Sequence, residues 1–437
     1  MIYQKILFVV VSPLSGHEEG EFIRLRDVLI VATFIWLISY YIHSPLAGGG
    51  TWIYSDIVGL LSARGLLWAD RLLIPYADYH FEYPPLVALL FILSNLVMLL
   101  IPKENMHMRA FVGYTVMSIV LYLHAIGTII VLHKLAGYTR RRSIHILIYY
   151  VLMPSFLIYT NYNWDIMGIF YALLGLYLFL RNKRLLSALM FGLAAAGKII
   201  PAVVALGPAT QLFVEKLKEM RDKGGEVNPI MIYIRAIVYP ISYLLVVVGE
   251  FLAWNIPFMI ISFDGWYSGM IAHHAGWYIE DSWLILIFDP ADPLAKYASA
   301  SIMVFLMLIS AHLLVIANIS GEERVIVGGT LYMAVFLFST YVYTPQMNLL
   351  ILPLFTLVPL GYTIVFVFDA LNAMIILSWF NFQNIYRLFE IETEGPLDRT
   401  SIPQIAAWTR CSILLMIIIK IWWSLYSSSI KTTENVG

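Results

Sequence analysis

The feature that most constrains this chain is its series of continuous apolar runs, separated by short polar linkers. A helix needs about 20 apolar residues to cross the hydrocarbon core of a bilayer, and many runs here approach or exceed that length. Of the 437 residues, 60% are hydrophobic and only 13% are charged, whereas soluble domains average about a quarter charged. The runs do not alternate between polar and apolar residues, which disfavours a transmembrane β-barrel. The sequence predicts an all-α polytopic membrane protein.

The positive charges predict which linkers lie in the cytosol. Arg24 and Arg26 precede the apolar run 27–42, so the positive-inside rule places the amino end of this first span in the cytosol. The stretch 84–101 then decides the side of every later linker. As a span it would put the basic linker 134–142 outside. As a helix lying on the outer face, it would leave three basic linkers inside, at 134–142, 181–184 and 215–223.

We adopt the second arrangement, which predicts about 12 transmembrane helices with both termini in the cytosol. The spans after the first are expected at 109–133, 143–160, 164–181, 185–199, 201–217, 230–260, 296–318, 325–343, 346–368, 370–387 and 404–424. They form a single domain over 1–437, with a module at 27–217 that includes a first external loop at 43–102, and C-terminal helices at 230–424. No repeat of fixed period is visible, so a transporter built from tandem halves gains no support.

Composition also narrows the chemistry. The formal net charge of −1 gives no indication of a nucleic-acid partner. Cys411 is the single cysteine, so disulfides and cysteine-based metal sites are excluded. The sequence contains no Walker loop, G-x-G-x-x-G, H-E-x-x-H or G-x-S-x-G motif, and cytosolic nucleotide chemistry therefore has no visible site.

The first external loop concentrates acids in a chain that is otherwise poor in charge. Asp56, in YSDI, lies among aromatic residues just after the first span. It could act as a general base on a sugar hydroxyl, or cap the helix that follows it. Glu82, in EYPPL, is held outside the bilayer because Pro84 restricts the preceding residue to an extended backbone. Asp70 and Asp78 are best explained as solvated loop residues.

Two further motifs place opposite charges at the outer ends of spans. Asp165, in NYNWD, is costly near the membrane unless it is paired or functional, although capping the next helix is an equal alternative. Lys198, in AAAGKIIP, can pair with a phosphate, but snorkelling towards the interface would explain it as well.

Later polar residues on the predicted outer face suit sugar or phosphate contacts. His273 and His274 point in different directions on a helix, so they make a weak metal site but could contact phosphate or sugar singly. Glu280 lies in the same loop, and Gln346, in YTPQ, lies where a span begins and could bond to a sugar hydroxyl.

Taken together, YSDI, EYPPL, NWD, GKIIP and TPQ resemble motifs of the integral-membrane GT-C glycosyltransferases, piecewise over 27–360. The likeness is greatest to the polyprenol-phosphate-mannose-dependent mannosyltransferases of bacteria and archaea, and the first loop is similar to that of the catalytic subunit of GPI mannosyltransferase I. The resemblance implies a GT-C-like bundle with juxtamembrane helices in the first external loop.

The activity that the resemblance implies is inverting transfer of a hexose, with mannose the first choice. The donor would be a polyprenyl- or dolichyl-phosphate sugar, and the acceptor a lipid-linked sugar, glycolipid or protein on the external face. The protein would lie among membrane lipids, in the cell membrane if prokaryotic.

Under this resemblance Asp56 is the catalytic base. Contacts with the donor phosphate or sugar are expected from Lys198, His273, His274, Gln346, Glu82, Asp165 and Glu280. The chain departs from some relatives by lacking an Arg between 263 and 295, and by carrying Val58 where a second acid would stand. We therefore expect no cofactor and no metal, with a divalent metal as the lesser alternative.

Two other readings stay open. A transporter or flippase for a lipid-linked or small polar substrate would use ionisable residues within spans, and His124, Glu250 and His312 are of that kind. A catalytically silent scaffold that resembles the enzymes is the third reading.

Overall fold

The computed structural model describes residues 23–45, 54–222, 229–389 and 395–434. This part of the chain is nearly all helical and contains no strand. Its helices of eight residues or more are α1 Leu25–His43, α2 Asp56–Ala63, α3 Pro85–Met98, α4 Met106–Ala136, α5 Asp165–Leu180, α6 Arg184–Gly197, α7 Leu206–Asp222, α8 Pro229–Ile261, α9 Leu294–Ile316, α10 Gly321–Ser339, α11 Asn348–Leu357, α12 Tyr362–Phe380, α13 Phe382–Phe389 and α14 Ile402–Glu434.

Shorter helical turns join these elements. They are α-helical at Ser143–Ile146, Pro154–Tyr159, Phe263–Tyr267 and His273–Gly276, π-helical at Leu147–Val151 and Ser268–Ala272, and 3-10 at Leu66–Trp68, Ile200–Ala205, Trp283–Leu286 and Pro345–Met347.

Within the described residues, six helices are long and apolar enough to cross a membrane: α1, α4, α8, α9, α12 and α14. Helices α1, α8 and α9 bury few of their residues and expose apolar side chains such as Phe34, Leu245 and Phe305. Exposed apolar surface of this extent suits contact with lipid. These features indicate a membrane protein, but they do not confirm the predicted count of about 12 spans, because α5, α6 and α11, which lie in predicted spans, are shorter than a full span.

The stretch 84–101 forms α3, a helix of only 14 residues. At about 1.5 Å per residue it is roughly 21 Å long, less than the ~30 Å of a hydrocarbon core. The first loop runs beside it: the Leu73 N–H donates to Asn95 Oδ1 on α3 at 2.9 Å. Just beyond α3, Lys103 Nζ lies 3.1 Å from Asp70 Oδ2. Helix α3 and the first loop therefore form one packed unit.

Prolines interrupt two of the predicted spans. The span 143–160 is broken because Pro154 begins a new helix and Met153 before it is extended, with φ −75° and ψ 142°. The predicted boundary between 346–368 and 370–387 is wrong. Helix α11 ends at Leu357 and α12 begins at Tyr362, since Val358 is extended immediately before Pro359.

The antiparallel pair α5 and α6 forms the part of the core that carries two of the predicted site residues. Small residues let the two helices approach closely: a Cβ on Gly175 would lie 2.8 Å from the ring of Phe191. Asp165 begins α5 and Lys198 directly follows the last residue of α6. The pair therefore brings an acid and a base together at one of its ends.

Candidate functional site

A cavity of about 510 Å³ lies where several parts of the chain converge. They are the first loop, residues 162–163 of the NYNWD segment, the end of α6, the two segments 274–281 and 340–347, and α12. Much of its lining is aromatic or aliphatic. The predicted site residues that line it are Asp56, Glu82, Lys198, His274, Glu280 and Gln346. The structure thus brings most of the expected residues to one place, while their chemical roles stay predictions.

Asp56 does not cap a helix with its side chain. It is the first residue of α2, whose N-cap position is Ser55, and no side-chain capping bond is formed. Instead Asn163 Nδ2 donates to Asp56 Oδ2 at 2.7 Å, and the Tyr83 hydroxyl donates to the same oxygen at 3.3 Å. The NYNWD and EYPPL segments therefore both hold this carboxylate, and the capping alternative is wrong.

The environment of Asp56 changes its titration. Burial raises the pKa of this carboxyl from its usual 3.8 to about 7, although the Lys198 charge and the Asn163 hydrogen bond oppose the shift. A carboxyl with a pKa near 7 is present in both protonation states at neutral pH. That is the condition under which a general base works best.

Lys198 and Asp165 form an ion pair, with Lys198 Nζ 3.0 Å from Asp165 Oδ1. The Lys198 side chain is 16% exposed and lines the cavity. The Asp165 side chain is 1% exposed and does not line the cavity. The ammonium thus faces the cavity with a buried counter-ion at its back. The structure separates Asp165 from the residues that a substrate could touch directly.

Glu82 has a partner that the sequence reasoning missed. Arg64 Nη2 donates to both carboxylate oxygens of Glu82, at 2.8 Å each. The Glu82 carbonyl also accepts from His274 Nε2 at 3.0 Å. No sequence pattern distinguishes Arg64 from Arg71, which lies in the same loop. Arg71 pairs with Asp78 on an exposed surface.

His273 does not line the cavity. Its Nδ1 lies 3.4 Å from His80 Nε2, so the two rings link the first loop to the loop around 262–292. Burial lowers the pKa of both His273 and His274, which favours neutral imidazoles.

Arg410 on α14 is a second residue that the sequence reasoning missed. It is fully buried, and its Nη2 donates to the carbonyl oxygens of Asp281 at 2.8 Å and Tyr343 at 2.6 Å. Its guanidinium carbon lies 3.6 Å from the centroid of the Tyr343 ring. The available signal was a lone arginine inside the apolar run 404–424, because charges within membrane segments are expensive.

Among the residues that the structure describes, no three His, Cys, Asp or Glu side chains converge in a way that could hold a metal ion. The expectation of a metal-free reaction stays a prediction.

The chain matches no protein-family model and no curated protein. The likeness to the GT-C glycosyltransferases therefore rests on the short motifs quoted above.

Proposed function

We propose that the protein is an inverting glycosyltransferase that moves a hexose, with mannose the first choice, from a polyprenyl- or dolichyl-phosphate donor to an acceptor on the external face of the membrane. The observation that carries this proposal is the shared cavity of Asp56 and Lys198. A carboxyl with a pKa of about 7 can accept a proton at neutral pH, and an ammonium beside it can stabilise a phosphate.

In this mechanism Asp56 takes the proton of the acceptor hydroxyl as that oxygen attacks the anomeric carbon. The bond between this carbon and the phosphate oxygen breaks, and the leaving polyprenyl phosphate keeps the electron pair. Lys198 stabilises the negative charge of the leaving group. Attack from the face opposite the phosphate inverts the configuration of the sugar.

The residues around Asp56 suit the role of a base. Asn163 and Tyr83 both bond to Oδ2, so the orientation of the carboxylate is fixed before the acceptor arrives. Fixed orientation is a large part of what a positioned catalytic group contributes.

The apolar lining supports a lipid-linked donor. Ile199 and Phe380 line the cavity and are 46% and 41% exposed. Their accessible apolar surface suits contact with an isoprenoid chain whose phosphate lies near Lys198.

The transporter alternative gains little from the arrangement of its candidate residues. His124 Nδ1 lies 2.7 Å from the Val120 carbonyl of its own helix, and Glu250 accepts from Trp254 Nε1 at 2.9 Å one turn away. Neither these two residues nor His312 lines the cavity.

The test is transfer of labelled mannose from dolichyl-phosphate mannose by purified protein, with a membrane extract as the source of acceptor. Asp56→Asn should lower the rate by a factor of about 10² to 10⁴, the usual contribution of a general base. Asp70→Asn is the matched control, because Asp70 forms only an exposed pair with Lys103. Full activity of the Asp56→Asn protein would remove Asp56 as the base. Accumulation of substrate in vesicles without transfer would favour the transporter.

A further inference from the structure

One wall of the cavity is built from two chain segments that pair side by side. The Glu280 N–H donates to the Tyr341 carbonyl at 3.0 Å, and the Tyr343 N–H donates to the Glu280 carbonyl at 2.9 Å. The Ser282 hydroxyl adds a bond to the Thr340 carbonyl at 2.8 Å. This pairing places Trp277, Glu280, Thr344 and Gln346 in the lining of the same cavity.

This wall carries one buried polar group that lacks a partner in the part of the chain that the structure describes. Thr344 is only 8% exposed, and its hydroxyl forms no hydrogen bond. Buried polar atoms in native proteins are nearly always bonded, so an unpartnered hydroxyl in a cavity wall points to a bound group that supplies the partner.

The charge of the wall indicates what that group is. Glu280 Oε2 accepts from Trp277 Nε1 at 2.7 Å, so the carboxylate and the indole are held together. A carboxyl, a hydroxyl and an amide offer no positive charge to a phosphate, whereas beside an aromatic ring they match the hydroxyl groups and apolar face of a neutral sugar. Lys198 is the better partner for the phosphate.

We infer that Trp277, Glu280, Thr344 and Gln346 form a subsite for the hexose of the substrate, and that Arg410 is the positioning residue that shapes it. The inference rests on the proposed function, and it assigns the sugar and the phosphate to different parts of the cavity.

Arg410 holds both segments of the wall from behind. Its Nη2 bonds to a carbonyl on each segment, those of Asp281 and Tyr343, and its Nη1 bonds to Asn372 Oδ1. Asn372 Nδ2 in turn donates to the Pro345 carbonyl at 2.8 Å, directly before Gln346. Asp281 has a φ of +50°, a left-handed conformation that is uncommon outside glycine and that aspartate tolerates better than most residues. The guanidinium bonds to the carbonyl of this residue and so helps to hold the turn.

The first experiment measures binding of two lipids to the purified protein: polyprenyl phosphate and polyprenyl-phosphate mannose. Thr344→Val keeps the side-chain shape and removes the hydroxyl. It should leave folding intact and weaken binding of the mannose-bearing lipid about fivefold, the contribution of one hydrogen bond, without changing binding of polyprenyl phosphate. Lys198→Met should weaken binding of both lipids.

Equal effects of Thr344→Val on the two lipids, or no effect on either, would overturn the subsite while leaving the proposed function standing. If the unmodified protein binds neither lipid, the proposed function fails together with the inference.

The second experiment compares Arg410→Lys with Arg324→Lys. Arg324 is also buried and donates to backbone carbonyls, those of Leu314 and Ala317 at 2.9 Å each, but neither of these residues lines the cavity. Both substitutions should lower the melting temperature. Only Arg410→Lys should weaken binding of the mannose-bearing lipid more than binding of polyprenyl phosphate.

Ser282→Ala loosens the same wall more gently and serves if Arg410→Lys does not fold. It too should weaken binding of the mannose-bearing lipid more than binding of polyprenyl phosphate, by a smaller factor. If Arg410→Lys or Ser282→Ala lowers binding of both lipids alike, Arg410 is a structural residue only.

Discussion

At the scale of single residues, the site depends on how burial and charge balance at Asp56. Burial favours the neutral carboxyl, and the nearby Lys198 ammonium favours the carboxylate. Because the pKa in the folded state, about 7, lies above the usual 3.8, ionising Asp56 opposes folding. This cost is absent below about pH 4 and is complete above pH 7.

The same balance predicts the pH dependence of the reaction. The base must be ionised, so kcat/KM should rise about tenfold per pH unit below pH 7 and level off above it. Lys198→Met should move the midpoint to higher pH, because it removes the charge that favours the carboxylate. Lys216→Met is the control, since Lys216 pairs with Glu219 away from the cavity. A midpoint that is the same in both variants would show that Asp56 is not the titrating group.

Polar residues that stand out in an apolar chain could be found from the sequence. Residues that matter through contacts with distant parts of the chain could not. Asp56 and Lys198 were visible because each is polar within a short motif next to a span. Arg64 and Arg410 act on partners 18 and 129 positions away, Glu82 and Asp281, and no local pattern encodes such distances. The unpartnered hydroxyl of Thr344 is a property of its three-dimensional surroundings alone.

At the scale of helices, the close contact between α5 and the end of α6 holds Lys198 in place. A Cβ on Gly168 of α5 would lie 2.8 Å from Lys198 Cβ and 2.8 Å from Pro201 Cγ. Both neighbours are constrained, because Lys198 is ion-paired and Pro201 lies in the 3-10 turn Ile200–Ala205. There is no flexible side-chain end that could move aside.

Gly168→Ala should therefore destabilise the protein by about 1–3 kcal/mol, the usual cost of overpacking, and weaken binding of polyprenyl phosphate. Gly249→Ala on α8 is the matched control, because a Cβ there meets no atom within 4 Å. That substitution should stabilise the helix by about 0.5–1 kcal/mol. Thermal unfolding in detergent measures both changes. Equal melting temperatures for the two variants would contradict this account of the contact.

Helix boundaries show where apolar patterning is informative. The distinct character of 84–101 was predicted from the charge of distant linkers. Its helix has 14 residues, as many as α6, which lies in a predicted span, so helix length does not test that prediction. The boundary between α11 and α12 was misplaced because hydropathy runs unbroken through Val358 and Pro359, while the backbone does not.

At the scale of the whole molecule, the side on which each linker lies is the main open prediction. Cys411 is fully buried and is the single cysteine of the sequence. Cysteines introduced one at a time can therefore be labelled with a membrane-impermeant maleimide, and the unmodified protein should give no background.

Cysteines at the exposed positions 71 and 103 should label from the same side of the membrane, because α3 lies between them and is predicted not to span. Arg181→Cys, at an exposed position between α5 and α6, should label from the opposite side. Labelling of positions 71 and 103 from opposite sides would make α3 a span and reverse the assignment of every later linker.

The number of spans is less accessible from sequence than the membrane class. Helices α5 and α6 have 16 and 14 residues, and their small residues pack closely against neighbouring helices. Hydropathy does not distinguish an apolar helix that faces protein from one that crosses a bilayer.

Arg410 lies in the last described helix, so the cavity wall gains its support late in synthesis. Asp56 leaves the ribosome early, and the wall segments around Glu280 and Tyr343 follow much later, but the guanidinium that joins these segments belongs to α14. A nascent chain that has inserted everything up to α12 already holds its base and its lysine, yet its sugar-binding wall still lacks support. The protein would become competent to choose a substrate only when its last described helix has entered the membrane.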